Sequence, residues 1–225
     1  GKARDQIMEF WRLFRQECPD IPIETSGTNL SAAIDLATDG VPLNEIYKSN
    51  LGVLPPPNSP WAALDGDFGL EITGYMSRIS KLPADDKYLF RFYVHDPWWM
   101  NSPWIDRYER QPHDIYLPLS VARVDENGNI RKPDQLNILT VDNSLGEMPD
   151  DCPNEVIPHI LRAVSHAPDE VSPIVWVYPM DEYNERAEKS VQSIKEMFFG
   201  DWFIRGAINN TFPLSSVIST DNFVS

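Results

Sequence analysis

The stretch Tyr88-Leu89-Phe90-Arg91-Phe92-Tyr93-Val94, running directly into His95-Asp96-Pro97-Trp98-Trp99, decides how this chain folds. All but one of its first seven residues are apolar or aromatic. A strand with one wet face alternates polar and apolar residues, so this one reads as a parallel strand covered on both faces. Upstream, Asp67 or Gly69 opens a helix whose apolar stripe is Leu70, Ile72, Tyr75, Met76 and Ile79. Downstream, Leu136 to Val141 repeats the strand pattern and ends in Asp142-Asn143-Ser144, and Asn154 then caps a helix from Glu155 to Ala167.

Further out the same rhythm continues. A first helix, Ala3 to Glu17, carries Ile7, Phe10, Trp11 and Phe14 at helical spacing and stops at Cys18-Pro19. Ile21-Pro22-Ile23 is a short strand ending in Glu24-Thr25-Ser26-Gly27, and Val41 to Tyr47 is a second run holding Asn44-Glu45. Leu54 to Pro60 reads as a proline-rich loop. Pro173 to Tyr178 is a further strand, followed by one long helix and a last strand near Ser216 to Ser219. The segment His113 to Val124 has helical spacing at Leu117, Val121 and Val124 and is read as a helix. Pro118 inside it and the Asn127-Gly128 turn signal keep a hairpin as the competing reading.

Strands separated by helices imply parallel pairing through right-handed crossovers, so the expected class is α/β. The first four strands each end in polar or charged residues, Glu24, Glu45, His95-Asp96 and Asp142. Active sites of α/β barrels are built at such ends, which favours a barrel over a doubly wound sheet. Both chain ends read as cuts, so the expectation is the second half of a TIM-type (β/α)8 barrel over residues 1–170. Residues 171–225 are expected to begin a second domain with a β-α-β unit. The Ala167-to-Ser172 linker marks the boundary.

Composition narrows the function. Hydrophobic residues make up 42% of the 225, enough for a real core and too many for a disordered chain. With 34 acidic against 19 basic side chains the net charge is −15, which argues against nucleic acid or an anionic membrane surface as partner. Two cysteines, Cys18 and Cys152, exclude a disulfide scaffold and argue against a Cys-based zinc site, and the four histidines show no metal spacing. No apolar run is long enough for a membrane span. No metal and no cofactor is expected, and no glycine-rich phosphate loop follows a strand.

The run from Glu24-Thr25-Ser26-Gly27 through His95-Asp96-Pro97-Trp98-Trp99 to Asp142-Asn143-Ser144 resembles the later strands of a glycoside-hydrolase barrel. Val175-Trp176-Val177-Tyr178-Pro179, then Trp202 to Asn210, then Pro213 to Thr220 is similar to the opening of a flavodoxin-like, glutamine-amidotransferase-like domain. Such a domain follows the barrel in some galactosidase and galactoside-phosphorylase families. The resemblance implies a carbohydrate-active enzyme, a carbohydrate substrate and a homo-oligomer formed through the second domain. No Gly-x-Cys-x-Gly elbow is present, so amidotransferase chemistry is not implied. In a second register Asn44-Glu45 resembles the acid/base pair of many glycosidase barrels, with Asp181 or Glu182 near the nucleophile position.

The residues themselves suit that chemistry. Sugar rings present apolar C–H faces rimmed by hydroxyls, and a site for them needs aromatic platforms beside forked polar groups. Trp98, Trp99, Trp104 and Tyr108, interleaved with Asp96, Asp106, Arg107 and His113, supply both. Glycosidic cleavage needs two carboxylates, and the candidates are Asp96, Glu24 and Glu45. His95 and Asp142 are expected to bind substrate, although a helix cap is the better reading of Asp142 than a catalytic role. The rival reading is a non-catalytic carbohydrate-binding or structural α/β module of related fold.

Overall fold

The computed structural model describes residues 2–24, 46, 49, 51–54, 67–85, 87–95, 116, 118–140 and 151–225. The elements in chain order are α1 (Lys2–Glu17), β1 (Ile23–Glu24), β2 (Val53–Leu54), α2 (Phe68–Ile79), β3 (Leu89–His95), β4 (Ala122–Val124) and β5 (Ile130–Arg131). They continue with β6 (Gln135–Thr140), α3 (Asp151–Ser165), β7 (Val175–Tyr178), α4 (Met180–Lys189), α5 (Ile194–Asn209), β8 (Ser216–Ser219) and α6 (Thr220–Val224).

The class is α/β. The described strands form three small open sheets, β1-β2, β3-β6 and β5-β4-β8-β7, and among the described residues no barrel closes. Every pair is parallel except the β4-β5 hairpin. The strand expected over Tyr88 to Val94 is β3, shifted by one residue, and β6 lies beside it as its parallel neighbour. β7 and β8 are parallel with α4 and α5 between them, the expected β-α-β connectivity.

Three readings are corrected. The segment before Val124 is not one helix: Tyr116 and Leu119 are helical, and Ala122 to Arg131 is a hairpin around Gly128, whose φ of 75° a side chain would resist. Asp125 closes that turn by accepting from the backbone N–H groups of Asn127 and Asn129 at 3.0 and 2.8 Å. Val53–Leu54, read as the start of a loop, is a strand paired with Ile23–Glu24. The long helix after β7 is two helices, because Ser190 is extended and Val191–Ser193 forms a 3-10 turn before α5. The hydrogen bonding also crosses the expected division at residue 170. The Ala122 N–H donates to the Ser215 carbonyl at 2.9 Å, and β4 pairs with β8 from Ala122↔Ser216 onward.

One core joins the three sheets. Ile72, Tyr75, Met76 and Ile79 from α2 meet Tyr88 and Phe90, then Leu119 and Val121, then Tyr178 and Val217. The Tyr75 and Phe90 rings meet edge to face with centroids 5.0 Å apart. Asp67 caps α2 by accepting from the Leu70 N–H at 3.0 Å, and it also receives Arg205 Nε at 2.8 Å and Asn209 Nδ2 at 2.9 Å from α5. Burial works against the Asp67 carboxylate, but these donors outweigh it and hold its pKa below the ordinary value. At the other end of the chain, Arg15 on α1 fans over the carbonyls of Leu51, Cys18 and Ile21 at 2.6 to 2.9 Å, pinning α1 to the β1-β2 pair.

Candidate functional site

The carboxyl ends of the parallel strands are where ligand chemistry gathers in α/β folds. β3 and β6 end together. Their register runs from Leu89↔Gln135 through Tyr93↔Leu139 to His95↔Thr140, with an irregularity between Tyr93 and His95. Neighbouring strands lie about 4.8 Å apart. The chain therefore leaves His95, whose next residue is Asp96, and Thr140, two before Asp142, from the same edge of one sheet. Glu24 ends β1 opposite Leu54, in a separate sheet among the described residues. Glu45, Asp96, Trp98, Trp99, Trp104, Asp106, Arg107, Tyr108, His113 and Asp142 lie outside the described residues.

A second group of polar side chains stands at the carboxyl ends of β7, β8 and β4. Asp181 is in the first turn of α4 and Asp221 in the first turn of α6, where helix N-termini favour negative charge. Both carboxylates hold the amine of Lys81, which follows α2 and has only 9% of its side chain exposed. Burial alone would draw the Lys81 pKa down. The two carboxylates overcome that, and the net shift is upward. Ser219 caps α6 by accepting from the Asn222 N–H at 3.3 Å, and Asn222 Nδ2 donates to the Val124 carbonyl at 3.3 Å, tying the ends of β8 and β4 together.

Beneath this edge Tyr178, the last residue of β7, is fully buried. Burial first, then the nearby Asp201 and Tyr183, pushes its hydroxyl pKa well up, so it stays a neutral phenol. Sequence reasoning raised Asp181 in its second register but missed Lys81. No motif marks Lys81, whose partners lie 100 and 140 positions away. The available signal was indirect: an acidic first turn after each of two strands calls for a cation.

On the amino-end side, Arg123 is buried and donates to the carbonyls of Leu82 and Pro83, the latter at 2.7 Å, with its guanidinium 5.7 Å from the centre of the Tyr88 ring. Tyr88 donates its hydroxyl to the Arg131 carbonyl at 2.6 Å, and its N–H reaches Asp134 at 3.2 Å. These bonds tie the amino ends of β3 and β6 together, beside a cavity lined by Lys87, Tyr88, Leu89, Asp134 and Gln135. His159 pairs with the Tyr116 hydroxyl at 2.9 Å and His166 is exposed, so both serve structure or solvent. Cys18 is a free thiol. Among the described residues no group of three or more His, Cys, Asp or Glu gathers as for a metal, and no helix is long and apolar enough to cross a membrane.

The chain matches no family model, no curated protein and no solved structure.

Proposed function

We propose that this chain is part of a carbohydrate-active enzyme, a glycosidase-like hydrolase, whose site opens at the carboxyl edge of the β3-β6 pair. The observation that carries the reading is the register of that pair, aligned to His95↔Thr140 at its exit. The chain leaves both strands at that edge, and the residues that follow in sequence are Asp96-Pro97-Trp98-Trp99 after β3 and Val141-Asp142 after β6. In this reading β1-β2 and β3-β6 are arcs of one barrel wall, and residues 171–225 build the accompanying domain together with the β4-β5 hairpin. Asp96 and Glu24 act as the carboxylate pair, with Glu45 in reserve through the second register. Trp98, Trp99 and Trp104 stack the sugar, while His95, Asp106, Arg107, Tyr108, His113 and Asp142 hold its hydroxyls.

The test is saccharide binding by the whole chain, followed by tryptophan fluorescence and calorimetry across a glycan panel. Trp99→Ala is expected to weaken binding about tenfold or more, a loss of about 1.4 kcal/mol or more, with little change in melting temperature. A chain that binds no saccharide, or a variant that loses stability and not affinity, overturns the proposal. Binding without turnover assigns the chain to the non-catalytic module instead.

A further inference from the structure

We propose that Asn127-Gly128, at the tip of the β4-β5 hairpin, is a site of spontaneous deamidation, and that the Asp125 turn governs its rate. The reaction is intramolecular. The Gly128 backbone nitrogen loses its proton to water or hydroxide and attacks the Asn127 side-chain carbonyl carbon. Ammonia leaves as a five-membered succinimide closes. Water then opens either ring carbonyl. One opening leaves Asp at 127, and the other leaves isoaspartate, whose main chain runs through the former side chain. Of the asparagines in the chain, Asn127 alone precedes a glycine, and only glycine brings its nitrogen up with no side chain in the way.

The structure gives the reaction room and water. Asn127, Gly128 and Asn129 are all exposed, and a Cβ built on Gly128 would meet nothing within 4 Å. What restrains it is Asp125. The Asp125 carbonyl accepts from the Gly128 N–H at 3.0 Å, which ties up the attacking nitrogen. Its Oδ1 accepts from the Asn127 and Asn129 N–H groups at 3.0 and 2.8 Å, fixing the main chain on both sides. The closed turn is therefore unreactive, and ring closure waits for the hairpin to open. Opening costs little. β5 is only two residues long and forms the outer strand of its sheet, with β4 as its one partner among the described residues. Segments held by so few bonds open far more often than the whole molecule unfolds.

The product does not fit the turn it came from. Isoaspartate lengthens the main chain between Asp125 and Asn129 by an atom, so the bonds to Asp125 cannot all re-form. Its new carboxylate also stands beside Glu126 and near the buried Asp125, where like charges disfavour it. The pairs Val124↔Ile130 and Arg123↔Arg131 follow directly from the turn. Arg131 links them to the rest of the molecule. Its carbonyl accepts the Tyr88 hydroxyl at 2.6 Å, and its guanidinium donates to the Ala84 carbonyl. Deamidation at 127 thus loosens the amino end of β3, beside the cavity that Tyr88 and Asp134 line. The hairpin tip is a slow clock on that end of the sheet, independent of the carbohydrate reading.

The test ages the whole chain at mildly alkaline pH, folded and in urea, and follows residue 127 by peptide mapping and mass spectrometry. The folded chain is expected to form Asp and isoaspartate there about ten- to a hundredfold more slowly than the unfolded one. Were global unfolding required, the gap would be about a thousandfold or more, and the proposal would fall. Asp125→Ala is expected to close most of the gap while keeping a cooperative melt. Asn127→Gln, which cannot form the five-membered ring, should abolish the modification. Native-state hydrogen exchange at the Gly128 N–H reads the same opening with no substitution, and its protection should match the slowing within about tenfold. That comparison decides the matter if Asp125→Ala does not fold. An Asn127 that stays intact in the folded chain overturns the proposal, as do equal rates folded and in urea. So does a folded Asp125→Ala variant that reacts no faster than the parent, or an exchange protection that departs from the slowing.

Discussion

Two helical glycines, Gly69 and Gly206, are expected to respond to the same substitution with opposite signs. At Gly69 an added Cβ would stand 2.3 Å from the Arg205 carbonyl oxygen and 2.7 Å from Asn209 Oδ1. Carbon and oxygen approach to about 3.3 Å at closest, so α2 and α5 must part by about 1 Å. Overfilling of this kind costs about 1–3 kcal/mol. The separation also stretches the Gly69 N–H to Asn209 Oδ1 bond, 2.7 Å long, for about another 1 kcal/mol. Better helix propensity returns less than about 1 kcal/mol. Gly69→Ala is therefore expected to destabilise by about 2–3 kcal/mol, or about 5–10 °C in melting temperature for a chain of this size. Gly206→Ala meets open space and is expected to stabilise by about 0.5–1 kcal/mol. Urea titrations followed by circular dichroism read both. A Gly69→Ala variant within about 0.5 kcal/mol of the parent would refute the contact between the start of α2 and the end of α5.

Replacing Lys81 with Met removes a group whose folded pKa is raised. The stability it contributes is present below its unfolded pKa of about 10.4 and is lost as pH rises through the folded value. The parent should thus lose stability above about pH 10.5, and Lys81→Met should show a flatter alkaline limb in thermal melts. Asp67 behaves the opposite way, because its folded pKa is depressed. Its contribution is present above about pH 4 and falls away as pH drops through the lower folded value. Asp67→Asn should flatten the acid limb, and Asp67→Ala should also lose the cap, about 1 kcal/mol at neutral pH. Arg123→Met strips the donors from two carbonyls and is expected to cost about 3 kcal/mol in urea unfolding; a cost below about 1 kcal/mol would mean that water reaches Leu82 and Pro83.

The strands were legible where apolar character was dense. Leu89–His95, Gln135–Thr140, Val175–Tyr178 and Ser216–Ser219 all stand within a residue or two of their sequence-based positions, because each carries aliphatic, β-branched or aromatic residues that favour a pleated strand. The start of α2 was legible to within two residues, with Asp67 and Gly69 both as candidates, and the structure makes Asp67 the cap. β2 was not, since two residues before a triple proline carry no periodicity and are held there by Ile23 and Glu24. The hairpin at Ala122–Arg131 was half legible. Pro118 lies in a helical segment that ends by Ser120, and the Asn127-Gly128 turn signal marks the hairpin that follows. The break between α4 and α5 was missed although Ser190 announces it, its Oγ accepting from the Gln192 N–H at 3.1 Å. Of the candidate site, the exits of β1 and β3 were legible. Which strands stand beside them was not, because pairing partners are set by tertiary packing and leave no local mark.

The position of β8 has a consequence for how the molecule comes into being. It is the inner strand of the four-stranded sheet, buried at all four positions and flanked by β4 and β7, both made before it. As the chain leaves the ribosome, β4 emerges, then β7, and neither can pair with the other until the residues after Phe212 arrive between them. Contacts spanning so much chain close slowly, because the entropy of the long loop is lost before the pairing repays it. For that interval Val121, Tyr178 and the apolar side of α2 stand open to water. A nascent or truncated chain ending short of Ser219 keeps them open indefinitely, as a ready client for chaperones and proteases.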